Sequence, residues 1–242
     1  MVRLNTKTQS DAVTHIKLIA RRLFATRGVD GVTVREIAVA AGQKNHGAVG
    51  YHFGSKEGLV REIILEGAIL IDKRRNKMLD ELEATDGPTT IREIVDILIY
   101  PAINLSENEA HEDSYISFLT MLGMTHRDLF LDTLANRWNS GYLRCLQHLR
   151  KLMPDMPNTM KNQRFVFMGG LFGSILAMRE RALVNGGSPN STWRSAQTLP
   201  HLALVMTALL EAPAEEISQN DTENPLPLSE NDSSPSTLGF IE

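Results

Sequence analysis

Two neighbouring stretches of the sequence, TVREIAVAAG (33–42) and AVGYHFGSKEGL (48–59), decide the fold. Thr33 with Glu36 three residues later is a capping box, which predicts the start of a helix, and Gly42 predicts its end. A shorter helix is expected in the second stretch, before its Gly-Ser pair. Two short helices joined by a glycine-containing turn are typical of a helix-turn-helix, in which the second helix stands out from the surface.

Apolar residues recur with helical periodicity along most of the chain, and no segment alternates as a strand would. We therefore expect an all-α fold with three parts. An N-terminal three-helix domain that contains the helix-turn-helix (1–55) precedes a longer helical domain (56–211), and a disordered acidic tail follows (212–242). The predicted helices cover 11–27, 33–42, 47–53, 56–82, a helix from Thr89 or Thr90 with a kink at Pro101, 114–124, 128–152, 161–184 and a last helix ending near Leu210.

Charge is distributed unevenly along the chain. The formal net charge is −4, yet residues 1–58 hold nine Lys or Arg and four Asp or Glu, a balance of +5. From Ala212 onward there are seven acids and no Lys or Arg. A basic N-terminal domain with an acidic tail predicts a polyanionic partner for the N-terminal domain.

Composition excludes several other classes of protein. The single cysteine, Cys145, allows no intramolecular disulfide and suits a packed thiol. The start of the chain is polar, without a signal peptide, and the longest apolar run (165–178) is too short to span a bilayer, so we expect a cytoplasmic protein with no membrane partner. Neighbouring His111, Glu112 and Asp113 would point in different directions on a helix, so neither a metal site nor a cofactor is expected.

No catalytic motif is present: the sequence has no Gly-x-Ser-x-Gly elbow, phosphate-binding loop, His-Glu-x-x-His or glycine-rich dinucleotide turn. The sequence therefore predicts a binding protein and not an enzyme. Two alternatives stay open, namely an enzyme without a recognisable motif and a carrier of hydrophobic ligands with a vestigial helix-turn-helix. Salt-dependent binding to duplex DNA would separate a regulator from both.

The N-terminal quarter of the chain resembles the TetR family of transcriptional repressors. The matching residues, in the order typical of that family, are LFA (23–25), Arg27-Gly28, TVREIA (33–38), Ala41-Gly42 and YHFGSKE (51–57). The resemblance implies a homodimer that binds double-stranded DNA at a two-fold-symmetric operator. It also implies that 1–55 is the DNA-binding domain, that 56–211 is the ligand-binding and dimerisation domain, and that a small-molecule effector releases the protein from the operator.

The resemblance assigns DNA-binding roles to ten positions. Residues implied to hold phosphates are Thr33, Tyr51, His52 and Lys56. Residues implied to touch bases or phosphates are Arg35, Gln43, Lys44, Asn45, His46 and Ala48. The turn 43–47 is one residue longer than the family pattern, and Gly50 stands where a larger residue is usual, so the base-reading roles are less transferable than the phosphate-holding ones.

The resemblance also places an effector cavity among the helices of 91–152, which are rich in Met and aromatic residues. Such residues line adaptable pockets, although a plain core has the same composition. A hydrophobic effector bound there would move the fourth helix (56–82), which joins the cavity to the DNA-binding domain. The expected lining is Leu98, Tyr115, Phe118, Met121, Leu122, His126, Leu134, Trp138, Tyr142, Arg164, Phe165 and Met168. Polar residues that could orient the ligand are His111, His126, Arg137 and Arg164.

Small residues four apart in the apolar run 165–178 allow close helix approach. The resemblance implies that the last two long helices form a four-helix bundle with those of a partner, whereas packing within one chain is the alternative. The expected interface consists of Phe165, Gly169, Phe172, Gly173, Leu176, Leu202, Val205, Met206 and Leu209.

Overall fold

The computed structural model describes residues 3–45, 47–105, 113–135, 137–184 and 192–214, with side chains from Asp11 onward. Within these ranges the chain forms α-helices and short 3₁₀ turns and no strand, so the all-α prediction is confirmed. The helices are α1 (Arg3–Arg27), α2 (Val34–Ala40), α3 (Ala48–Phe53), α4 (Lys56–Glu83), α5 (Ile91–Ile99), α6 (Tyr115–Thr125), α7 (Arg127–Leu134), α8 (Ser140–Leu152), α9 (Asn158–Val184) and α10 (Thr198–Glu211). The 3₁₀ turns are Tyr100–Ala102 and Thr192–Arg194.

Helices α1 to α3 form a compact unit, called the head below. Phe24, Ile37 and Val49, one from each helix, are fully buried in its core. The predicted capping box is present, because the Thr33 side chain accepts from the Glu36 backbone N–H while the Glu36 carboxylate accepts from the Thr33 N–H. Gly42 has φ +64°, a conformation that favours glycine and ends α2.

Helices α4 to α10 form the second unit, called the body. The long helix α4 packs on α3 at its start and on α5, α7 and α8 further along, so it is shared by head and body. Helix α6 packs against both α1 and α9. At the meeting of α4 and α6, a side chain at Gly67 would overlap the Tyr115 ring, and the Tyr115 hydroxyl donates to the Ile64 carbonyl at 2.7 Å. A glycine in α4 therefore makes room for a fully buried tyrosine.

The single helix expected over 128–152 is wrong, because two helices, α7 and α8, occupy this stretch. Ala135, just after α7, has φ +41°, and α8 begins only at Ser140. The Asp72 carboxylate of α4 accepts from the Gly141 N–H at 2.7 Å and from the Ser140 hydroxyl at 2.9 Å. The Asp72 side chain, 68 residues before Ser140, thus accepts hydrogen bonds at the start of α8. No local sequence pattern could reveal this contact.

Some expectations fall on residues that the structure does not describe. His46, His111, Glu112 and the acidic tail from Glu215 onward lie outside the described residues. None of the helices in the described part of the chain is both long and apolar enough to cross a membrane.

Candidate nucleic-acid interface and effector site

Helix α3 has one buried and one exposed side. Ala48, Val49 and Phe53 are buried against the head, whereas Gly50 is exposed and Tyr51 is 76% exposed. Ala48, for which the resemblance implied a contact with DNA, has its side chain buried in the head. The exposed side of so short a helix is held in place by its buried side.

The Tyr51 ring contacts the half-buried His52 ring edge-on, with centroids 4.8 Å apart. This contact restricts two neighbouring side chains that each carry a hydrogen-bonding group. A hydroxyl and an imidazole N–H beside each other at the end of a helix can donate to phosphate oxygens.

The turn between α2 and α3 is braced by its own side chains. The side-chain oxygen of Asn45 accepts from the Gly47 backbone N–H at 2.9 Å, and the side-chain amide of Gln43 donates to the Ala41 backbone carbonyl at 3.2 Å. Lys44 in this turn and Arg35 on α2 are exposed. The helix-turn-helix thus exposes one cation on α2 and one in the turn before α3.

Thr33, expected to hold a phosphate, is engaged within the head. Its hydroxyl donates to the Glu36 carboxylate at 2.7 Å, and Arg27 pairs with the same carboxylate at 2.7 Å. The Thr33 hydrogen bonds and then Arg27 lower the pKa of Glu36 to about 2. Glu36 is the only acid between residues 31 and 56, and its charge is offset by Arg27.

Lys56 also has partners inside the protein. Its ammonium group donates to the carbonyls of Val29 and Val32, at 2.9 and 3.1 Å, and so clamps the turn between α1 and α2. Two of its three N–H donors are used in this way. This clamp was not foreseen from the sequence, because the two carbonyls lie more than twenty residues away.

Polar contacts that the sequence did not predict join the head to the body. Arg181 at the end of α9 donates to the Ala25 carbonyl of α1 at 3.1 Å. Arg21 donates to the Ser114 hydroxyl at 3.3 Å and lies 3.6 Å from the Asp113 carboxylate. These contacts tie the position of the head to α6 and α9.

Glu180 is buried at the same junction. Its carboxylate accepts from the N–H groups of Ile116 and Ser117 in the first turn of α6, at 3.0 and 2.7 Å. Burial, reinforced by the charge of Asp113, raises the pKa of Glu180 to about 7 against the opposing effect of these hydrogen bonds. The group therefore titrates near neutral pH.

A cavity of about 270 Å³ lies beside Glu180, between α1, α6 and α9. Its lining is Arg22, Ala25, Thr26, Asp113, Ser114, Ser117, Glu180, Arg181 and Val184. Mostly polar or charged residues form this wall, and none belongs to the expected effector pocket.

The expected pocket residues are dispersed or packed together. Tyr115, Phe118, Leu122 and Phe165 are buried in the core, while Met121 and Leu134 are half-buried. Trp138 and Arg137 are exposed, and His126 lies 3.3 Å from Asp30 of the head. Arg164 donates to carbonyls at the end of α10.

Leu98, Tyr142 and Met168 border a void of about 10 Å³, together with Arg75, Gly169, Phe172 and Met206. Such a volume holds at most one water molecule. Around these three residues, the apolar side chains of the described part of the chain therefore pack closely.

Most of the expected dimer residues are likewise inside the protomer. Those that are buried are Phe165, Gly169, Phe172, Gly173, Leu176, Leu202 and Met206; Leu209 is half-buried, and Val205 is exposed. Helix α6 of the same chain packs against the small residues of α9. The Ser117 hydroxyl donates to the Ala177 carbonyl, and the Thr120 hydroxyl donates to the Gly173 carbonyl. The large apolar residues that α9 and α10 expose are Phe167, Met178, Val184, Leu204 and Val205.

Cys145 is fully buried, and burial raises the pKa of its thiol to about 11. A thiol in this state is poorly reactive, as expected of a packed side chain. Within the described ranges, no three His, Cys, Asp or Glu side chains lie together as metal ligands would.

Comparison with known proteins agrees with this geometry. Residues 19–63 match the family model described as bacterial regulatory proteins, tetR family. The chain is 47% identical over 49 residues to the HTH-type transcriptional repressor AcnR of Corynebacterium glutamicum, a match that covers 20% of this chain and 26% of AcnR.

A longer match links the chain to the HTH-type transcriptional repressor KstR2 of Rhodococcus jostii, with 31% identity over 149 residues, or 58% of this chain and 72% of KstR2. A solved structure from Shewanella sp. PV-4, described as a tetR family transcription regulator, has the same fold (TM-score 0.50, 15% identity) over 81% of this chain and 96% of that one. The chain therefore belongs to the TetR family of bacterial regulatory proteins, as a DNA-binding transcriptional regulator rather than an enzyme.

Proposed function

We propose that this protein is a homodimeric repressor that binds a two-fold-symmetric operator and leaves it when a small, largely hydrophobic effector binds in the body. The observation that carries the DNA-binding part is the exposed side of α3. Tyr51 is exposed on a helix whose other side is buried, Arg35 on α2 and Lys44 in the turn before α3 are exposed, and the carboxylates of Glu36 and Glu57 are paired with Arg27 and Arg61. Such a surface attracts phosphates from both sides of a groove.

Repression is supported by the two curated relatives, both of which are named as transcriptional repressors. We assign the roles of the head residues in DNA binding according to how exposed their side chains are. Lys44 and Arg35 contribute charge, Tyr51 and His52 position the head on phosphates, and the side chains of Gln43 and Asn45 border the groove floor. Thr33 and Lys56 act chiefly by holding α2 and its preceding turn in place.

Dimerisation is supported by the exposed apolar residues of α9 and α10. Phe167 is 61% exposed and Leu204 is 56% exposed. Large apolar side chains exposed together on neighbouring helices are typical of an interface. Two heads related by a two-fold axis would fit half-sites roughly 34–36 Å apart, or a little more.

The route from effector to head is proposed to run through α4 and α6. Arg61, near the start of α4, donates to Asp132 and Thr133 of α7, so movement of the body helices would pull on the helix that follows the head. The Arg181 and Arg21 contacts make a second connection through α9 and α6. Linkage requires that effector and DNA weaken each other's binding by the same factor.

Selection from a randomised duplex library, followed by titration of the recovered fragments across salt concentrations, tests the proposal. We expect a two-fold-symmetric sequence to be enriched and its affinity to fall steeply with salt. If no sequence were enriched and binding stayed weak at low salt, the repressor proposal would be wrong.

A further inference from the structure

Arg75 is an unusual buried charge in the middle of the body. It lies on α4, is only 8% exposed, and has its guanidinium carbon 5.7 Å from the centre of the Tyr142 ring. One of its nitrogens donates to the Leu98 carbonyl at 3.1 Å, while its Nε is buried without a hydrogen-bond partner. A buried donor without a partner is uncommon, and on a charged group it is especially unfavourable.

No carboxylate pairs with Arg75 among the residues that the structure describes. The nearest acid along α4, Asp72, accepts instead from Ser140 and Gly141 at the start of α8. Burial lowers the pKa of Arg75 below its usual value, which reflects how poorly its surroundings solvate the cation. Asp72 favours the charge of Arg75 only from a distance, so the guanidinium has no carboxylate in direct contact among the described residues.

The surroundings of Arg75 can open. Its side chain borders the 10 Å³ void described above, at the meeting of α4, α5, α8, α9 and α10. Met168, Met206 and Phe172 form much of the wall. Methionine side chains are unbranched and adapt readily to a new neighbour, so this wall can change shape around a ligand.

We propose that Arg75 anchors the carboxylate of an amphipathic monocarboxylic acid, whose apolar part displaces Met168, Phe172 and Met206. This proposal rests on the proposed function, and it names the chemical class of the effector. One carboxylate oxygen accepts from the free Nε and the other from the guanidinium nitrogens beside it. A single negative charge matches the wall, because Arg75 is its only charged member.

The competing interpretation is that Arg75 only caps the end of α5 through Leu98. Arg74 is a natural control for that interpretation. It donates to the carbonyls of Pro101, Ile103 and Asn104 in the turn that follows α5, at 3.1 to 3.3 Å. The adjacent residues Arg74 and Arg75 therefore both donate to backbone carbonyls, Arg75 in the last turn of α5 and Arg74 just after it, and only Arg75 borders the void.

The test is equilibrium binding of decanoate and 4-hexylbenzoate, each compared with its uncharged primary amide, to the full-length protein. We expect at least one acid to bind about tenfold or more tightly than its amide. Arg75→Met should weaken binding of that acid by about 10- to 100-fold, the range for a charged hydrogen-bonded pair, and change amide binding by less than about twofold. Arg75→Lys should retain part of the preference, and Arg74→Met should retain all of it.

The proposal is overturned if neither acid binds, if acids and amides bind equally to the wild type, or if Arg75→Met retains the preference. The comparison of acid with amide uses the wild-type protein, so it decides the question even if Arg75→Met does not fold. Titration with operator DNA separates this proposal from the previous one. If an acid binds through Arg75 but leaves the affinity for operator DNA unchanged, the proposal that this ligand releases the protein from DNA is contradicted. If only the amides release the protein from DNA, the proposal that Arg75 binds a carboxylate is contradicted.

Discussion

Two exposed surfaces of this protein differ in chemistry. On the head, the surface around α3 presents Tyr51, Lys44 and Arg35, which are polar or cationic. On the body, α9 and α10 present Phe167 and Leu204, which are large and apolar. The first surface suits a hydrated polyanion and the second suits another apolar surface, so the two are expected to serve different partners.

The two surfaces can be distinguished by how binding at each depends on salt concentration. Binding through cations releases counterions and weakens as salt rises. Burial of apolar surface changes little with salt in the same range, because it does not depend on charge. A variant on one surface should therefore alter a different observable from a variant on the other.

The largest expected effect comes from placing charges on the apolar surface. Phe167→Glu combined with Leu204→Glu should yield monomers, because burying two carboxylates at an interface is strongly unfavourable. DNA affinity should then fall by about 100-fold or more, since the second head no longer benefits from the first. Sedimentation and DNA titration measure the two effects.

Met124→Glu combined with Leu143→Glu is the matched control, since both residues are exposed and apolar but lie on α6 and α8. The control should stay dimeric. A dimeric Phe167/Leu204 double variant would show that the interface lies elsewhere.

The next effect lies at the junction between head and body. The pKa of Glu180 is raised to about 7, so the folded protein keeps this proton while the unfolded chain loses it near pH 4.5. Its contribution to stability is fully present below that unfolded value and is lost as pH rises through about 7. The free energy of unfolding of the wild type should fall relative to Glu180→Gln by about 2 kcal/mol between pH 5.5 and pH 8.

Denaturant unfolding of both proteins across this pH range makes the measurement. Glu211→Gln, at an exposed position on α10, is the control and should show no comparable change. The charged groups near Glu180 include Asp113, which opposes its ionisation, and the cations Arg22, Arg179 and Arg181. A constant difference between wild type and Glu180→Gln would mean that Glu180 does not titrate near neutral pH.

Two lysines of the head should respond differently to the same substitution. Lys56→Ala removes the clamp on the Val29 and Val32 carbonyls and should lower the free energy of unfolding by about 2 kcal/mol. Lys44→Ala should leave stability unchanged, weaken DNA binding on every sequence alike and reduce the salt slope by about one. Urea unfolding and salt titrations distinguish them. If both variants lost the same stability, the assignment of a structural role to Lys56 and a DNA-binding role to Lys44 would be contradicted.

The smallest effect concerns Gly50, whose lack of a side chain is not required by the fold. A Cβ at Gly50 would meet no atom within 4 Å, and the same holds for Gly123 in α6. Gly50→Ala and Gly123→Ala should each stabilise the protein by up to about 1 kcal/mol through helix propensity. Only Gly50→Ala should also weaken DNA binding, because its added methyl faces the groove. Unchanged DNA affinity in Gly50→Ala would place this side of α3 away from DNA.

The sequence predicted the head well because its signals are local. The capping box of Thr33 and Glu36 and the stop at Gly42 involve residues within one or two turns, and each is formed as expected. The break between α7 and α8 was missed because it depends on Asp72, in a helix far away along the chain. The Lys56 clamp was missed for the same reason.

The body was harder to predict because an apolar residue has the same appearance in a core, a cavity wall and an interface. Tyr115 and Phe118, expected in a pocket, are fully buried where α6 meets α4 and α1. Gly173 and Ala177 suggested a contact between protomers, yet α6 of the same chain binds their carbonyls. Arg75 had no sequence signal, since only burial distinguishes it from the many arginines on the surface.

Hydroxyl-radical footprinting of the selected duplex with the wild-type protein tests most directly whether paired heads bind DNA through α3. We expect two protected segments on one face of the duplex, with centres about one helical turn apart or a little more, and two protomers per duplex. Tyr51→Ala should weaken both segments together. A single protected segment, or protection that Tyr51→Ala leaves intact, would contradict the paired-head arrangement.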